Sequence, residues 1–173
     1  MQQLKEKFFP TFQAAHGPNC TAVVLVDNSQ GHSAYADDAL RASEMNLSPG
    51  GKNKPLMHNS WYMNGGEHVS QLMVFPADHP THANLPRGLK SVLEERGLFY
   101  KGLIGRCKTC TPDATDCCAT RIMSLQPNFL EQKSLVEEVI EAAGMLSTLL
   151  LSHICQLNLL IRAYLHLSAK ISL

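Results

Sequence analysis

An α/β fold is what this sequence predicts, and three features carry the expectation. Ala22-Val23-Val24-Leu25-Val26 is an uninterrupted, mostly β-branched run that stops abruptly at Asp27, as expected of a strand buried on both faces of a sheet. Leu135 to Ala143 places apolar residues at helical spacing behind Ser134 and Glu137, which form a capping box, with Gly144 at the C′ position. Between these two elements, residues 46–134 are rich in turn-forming residues, so the α/β body carries an insertion.

The remaining elements follow in chain order. Leu4, Phe8, Phe9 and Phe12 fall at helical spacing and predict an amphipathic helix over 2–15, with Pro10 as the point where it can break. Gly17-Pro18-Asn19 stops it. Beyond the strand, Asp27-Asn28-Ser29-Gln30-Gly31 is loop chemistry, and Ser33 is placed to cap a helix running to Met45 with Ala36, Leu40 and Leu47 along one side. Residues 48–59 read as loop. Ser60 to Met63 and Val69 to Phe75 predict two strands joined by the hairpin turn Asn64-Gly65-Gly66-Glu67. Pro76 to Pro86 is loop, Gly88 to Arg96 is a helix closed by Gly97, and a Cys-bearing loop follows from Cys107 to Cys118.

Composition narrows the function classes. With 173 residues and 45% apolar content, the chain can bury the core of one domain, which excludes wholesale disorder. Fifteen Lys and Arg balance fifteen Asp and Glu, so the global electrostatic signature of a tight nucleic-acid binder is missing. A local basic patch is compatible with that balance, and Lys52, Lys54, Lys90, Lys101, Arg106 and Lys108 are its candidates for phosphate contact. The polar, mixed-charge start Met1 to Lys7 has no signal-peptide core behind it, so secretion is not expected. Without secretion, the six Cys read as thiols or metal ligands rather than disulfides.

The tail differs from the body. No acid follows Glu141, and residues 145–173 hold ten Leu with Arg162 and Lys170 as their full charges. His153, Gln156 and Asn158 interrupt the run, which falls short of the about 18 clean apolar residues of a membrane span. No membrane association is expected.

Two groups of residues could carry chemistry. Asp27 is a carboxylate at the C-terminal end of a strand, where α/β sheets open into the crevice that houses their sites. Hard divalent cations need such oxygen ligands, although Asp27-Asn28 is also a simple turn sequence. Cys107-x-x-Cys110 and Cys117-Cys118 supply four thiols within twelve residues, and tetrahedral Zn²⁺ is satisfied by four thiolates. A vicinal pair is an awkward second half, because adjacent side chains tend to point apart, so free thiols in a basic loop are the alternative. His79 and His82 are a weaker pair in a Pro-rich loop.

Asp27-Asn28-Ser29-Gln30-Gly31-His32 after a hydrophobic strand resembles the second-Asp motif of mariner-type DDE/D transposases. Met45-Asn46-Leu47-Ser48-Pro49-Gly50-Gly51-Lys52, Trp61-Tyr62, Val92 to Leu98 and Glu131 to Gly144 resemble, in order, a eukaryotic lineage of transposon-derived DDE endonucleases. The resemblance spans roughly residues 1–144 and implies a partial DDE endonuclease-like domain with its insertion at about 46–134. Residues 145–173 are then a divergent Leu-rich tail in place of the last strand and helix.

What the resemblance implies is an incomplete ribonuclease-H-like core with an inserted hairpin, helix and Cys-bearing loop. Active relatives hold two Mg²⁺ or Mn²⁺ ions with three carboxylates, cut and rejoin DNA, and work in the nucleus. Asp27 maps onto the second carboxylate. The first has no counterpart before Ala22, and Ile161, after Leu157-Asn158, stands where the third is expected. The compositional change after Gly144 is what a reading-frame slip or mis-spliced exon gives. The expectation is a transposase-derived fragment without DNA-cleaving activity. The alternative is a non-catalytic module that binds DNA or protein, stabilised by zinc.

Overall fold

The structure, a computed structural model, describes residues 1–27 and 34–150, without the side chains of Asp27 and residues 148–150. It mixes short helices with two small sheets, an α/β organisation. The chain divides into two compact units, one of residues up to Tyr35 together with those from Lys133 on, the other of Ala36–Gln132.

In the first unit, the N-terminal helix opens with a π-turn at Leu4–Phe8 and continues as α1, Phe9–His16. Pro10 explains the wide turn: it has no N–H to donate and its ring crowds the preceding turn. Phe9 N–H accordingly reaches back to the Leu4 carbonyl. The helix bends its hydrogen bonding instead of breaking. Gly17, at φ 72°, ends it by donating to Gln13 O at 2.9 Å.

Strand β1 (Val23–Asp27) pairs in parallel with β4 (Leu146–Leu150), with Val23 opposite Leu146 and Asp27 opposite Leu150. Helix α5 (Leu135–Ala142) leads into β4 and begins with the expected capping box, in which Glu137 N–H donates to Ser134 Oγ and Ser134 N–H to Glu137 Oε2. Gly144, at φ 71°, closes the helix as expected. Phe9, Ala22, Val26, Val136, Ile140 and Met145 form the buried core of this unit.

Burial of β1 on both faces is not what forms. Val23 and Leu25 are 39% and 41% exposed, while Ala22 and Val26 are buried. Side chains alternate along a strand, and among the described residues only the face that carries Ala22 and Val26 is covered. Leu146, beside Val23, is 56% exposed on the uncovered side.

In the second unit, the predicted helix from Ser33 to Met45 is also corrected. Its described part holds a turn and the three-residue 3₁₀ helix Ala42–Glu44. Tertiary bonds outweigh helix propensity here: Leu40 N–H donates to Gln132 Oε1, and Asp38 O accepts from His58 N–H. Ala39, Leu40, Ala42 and Met45 enter the core from this irregular backbone.

The hairpin forms as expected between β2 (Ser60–Asn64) and β3 (Glu67–Gln71). Gly65 and Gly66 take φ of 59° and 92°, the two positive values that a type I′ turn needs. The second strand starts two residues earlier than predicted and ends at Gln71. Helix α2 (Leu89–Glu95) buries Leu89, Val92 and Leu93. Its N-cap, Gly88, lies so close to the 47–48 backbone that a Cβ would sit 2.5 Å from Leu47 O. Two helices were not legible: α3 (Ala119–Ser124) and α4 (Pro127–Leu130), the latter with Pro127 at its first turn.

Arg96 ties these elements together. Its guanidinium donates to Gln71 Oε1 at 2.9 Å, Asn128 Oδ1 at 3.0 Å and the Trp61 carbonyl at 3.4 Å. The Tyr62 and Phe129 rings flank it. Burial lowers its pKa to about 10 against the opposing pull of Glu95 and Tyr62, so it stays charged at neutral pH.

Candidate metal centre

The Cys-bearing segment is a loop closed at its base. Ala119 N–H donates to Ile104 O at 2.9 Å and Thr120 N–H to Gly105 O at 3.0 Å, joining the two arms. Arg121, on α3, fastens the far turn: Nε donates to Ala114 O at 2.6 Å and Nη2 to Pro112 O at 2.7 Å. Tyr100 adds a hydroxyl bond to Asp116 O at 3.2 Å. Backbone carbonyls that a loop would leave unmatched are thereby satisfied by α3 and its surroundings.

Inside this loop the sulfur atoms of Cys107, Cys110, Cys117 and Cys118 all lie within 4.8 Å of one another. Cys110 and Cys117 are 3.2 Å apart, Cys110 and Cys118 3.9 Å, and Cys117 and Cys118 4.0 Å. A tetrahedral ion with sulfur at about 2.3 Å places its ligands about 3.8 Å apart, in the middle of this range. Four cysteines therefore cluster at metal-binding distance.

The vicinal pair does not splay, contrary to the expectation from adjacent side chains. Cys118 is the N-cap of α3 with φ −164° and ψ 162°, and the chain turns there from loop to helix. The backbone is extended at Cys118, yet the two sulfurs lie 4.0 Å apart.

The thiols differ in acidity. Burial, the largest single influence, pushes Cys118 upward, but hydrogen bonds from the backbone N–H groups of Cys107 and Arg121 and from the Cys110 and Cys107 thiols together outweigh it, and its pKa falls to about 7. Burial raises Cys107. The hydrogen bond with Cys117 raises Cys110. In Cys117 the bond to Cys110 acts downward and is outweighed by burial and the neighbouring thiols, so its pKa also rises.

Among the described residues, these four are the one set of three or more metal-ligating side chains that converges. Asp27 ends β1, opposite Leu150, and the direction of its side chain lies outside what the structure describes. Asn28, His32 and Ile161 also lie outside the described residues. His79 and His82 serve their own loop: His79 Nδ1 accepts from His82 N–H at 3.1 Å, and both rings pack on Phe75. Among the described residues, no helix is long and apolar enough to cross a membrane.

The chain matches no protein family, no curated protein and no solved structure.

Proposed function

We propose that this chain is a non-catalytic module, descended from a mariner-like DDE endonuclease, whose inserted unit is held together by a structural zinc ion. The observation that carries the reading is the convergence of four cysteine sulfurs within 4.8 Å. Cys107, Cys110, Cys117 and Cys118 would fill all four positions of a tetrahedral ion, leaving none for substrate, which is the mark of a structural rather than a catalytic site. The ion would tie the loop to α3 and so to the core of the 36–132 unit.

The transposase ancestry rests on the sequence resemblance, with DNA as the partner and the nucleus as the compartment it implies. The α/β pairing of β1 with β4 behind α5 is compatible with such a scaffold. Loss of cleavage rests on the third position of the set, where the resemblance calls for a carboxylate and the chain carries Ile161, which cannot help hold two Mg²⁺ ions.

The test is elemental analysis of the purified chain beside a plasmid-nicking assay in Mg²⁺ or Mn²⁺. About one zinc per chain without nicking is expected. Nicking that disappears in Asp27→Ala would overturn the non-catalytic part, and a metal-free chain would overturn the zinc part.

A further inference from the structure

We propose that a cleft on the 36–132 unit is a binding site for a single phosphate group. The cleft has a volume of about 220 Å³, and Lys54 and Arg106 both line it, with Asn46, Gly105, Thr120 and Leu89. Two cations thus face one cavity, and no carboxylate lines it. The neighbouring acid in sequence, Glu44, is engaged by Arg41 at 4.0 Å.

The donors suit an oxyanion. Arg106 gives one guanidinium N–H to the Ser43 carbonyl, which orients the planar fork and leaves its other donors available. Lys54 makes no ion pair among the described residues. The Asn46 amide gives one hydrogen to Gly50 O at 2.9 Å and keeps a second. The opposite wall is fixed, because Thr120 holds Gly105 O through both N–H at 3.0 Å and Oγ1 at 2.9 Å.

Size selects the ligand. Sites for drug-sized organic molecules run from about 300 to 1,000 Å³, so this cleft suits one hydrated tetrahedral anion better than a whole nucleotide. The phosphate could belong to a nucleic-acid backbone or be free in solution. The backbone source deepens the DNA part of the proposed function, whereas the cleft itself stands without it.

The experiment uses the full chain, ¹⁵N-labelled, titrated with inorganic phosphate against chloride at constant ionic strength. Saturable shifts of the Gly105, Arg106 and Thr120 amides are expected. Lys54→Gln and Arg106→Gln should each weaken the apparent affinity by roughly tenfold or more, as for loss of a charge-assisted bond. Lys7→Gln, exposed on the N-terminal helix and outside the cleft, should change it little. If Arg106→Gln unfolds because the Ser43 contact is lost, Lys54→Gln decides. In a second arm, a duplex lacking terminal phosphates replaces the free anion. Perturbation of the same amides supports the diester as source. Saturation by free phosphate with no response to the duplex supports the cleft and counts against DNA as its partner. Shifts that are absent, that never saturate, or that weaken equally in Lys7→Gln would overturn the proposal.

Discussion

The sulfur atoms of Cys110 and Cys117 lie 3.2 Å apart across a loop of six intervening residues. The contact exists because Arg121 pins the 112–114 turn while the Gly105–Thr120 bonds close the base. A protein scaffold therefore brings these thiols together, and a bound ion would strengthen an arrangement the backbone already favours.

The first prediction follows from that shared geometry. Cys117→Ser removes a ligand near the centre of the cluster and should weaken zinc binding by about 100-fold or more, the sulfur-to-oxygen change being unfavourable for a soft site. Competition with a chromophoric chelator measures it. Equal affinity in the variant would show that the metal sits elsewhere. Cys20→Ser, at an exposed thiol outside the cluster, is the control and should leave affinity unchanged.

A second prediction concerns protons. At pH 7 Cys107, Cys110 and Cys117 are protonated, their pKa values lying above the usual thiol range, while Cys118 at about 7 is half ionised. Zinc requires the thiolates, so binding should release about three to four protons at that pH. The sign is fixed: affinity falls as pH falls, because protons compete for every ligand. Calorimetry in buffers of different ionisation enthalpy gives the count, and release of one proton or fewer would contradict a four-thiolate site.

The Arg96 network makes a third, independent of metal. Arg96→Met removes the donors for Gln71 and Asn128, which are only 1% and 3% exposed. Stranding buried acceptors costs about 1–3 kcal/mol each, so the 36–132 unit should lose at least about 2 kcal/mol. Urea denaturation followed by the Trp61 fluorescence reads it. A change under about 0.5 kcal/mol would show that water replaces the guanidinium at no cost.

Ser134→Ala supplies the fourth, in the other unit. It removes one half of the α5 capping box and should cost about 1 kcal/mol, within the range of about 0.5–2 kcal/mol for such caps. Ser134→Asp should restore most of the loss, since a carboxylate can also accept from the Glu137 amide near a helix N-terminus. Chemical denaturation followed by circular dichroism distinguishes the two variants.

Elements with strong local chemistry were legible in the sequence. The α5 cap, the Gly65-Gly66 turn and the Gly97 stop are each set by neighbours within a few residues, and each forms. The failures are tertiary. The stretch expected to be a helix up to Met45 is drawn into irregular backbone by partners as distant as Gln132. Burial of β1 depends on how many layers cover the sheet, which its own five residues cannot encode. The Cys spacing points to zinc and the vicinal pair points away from it; the cluster depends on the loop closure by Arg121 and the Gly105–Thr120 bonds, which the spacing does not encode.

The most direct measurement is X-ray absorption at the zinc edge on the protein loaded with one equivalent of zinc. A structural zinc held by the four cysteines gives a single shell of about four sulfur ligands at about 2.3 Å, lost in Cys117→Ser. A shell dominated by nitrogen or oxygen at about 2.0 Å, or zinc removed by simple gel filtration, would contradict it.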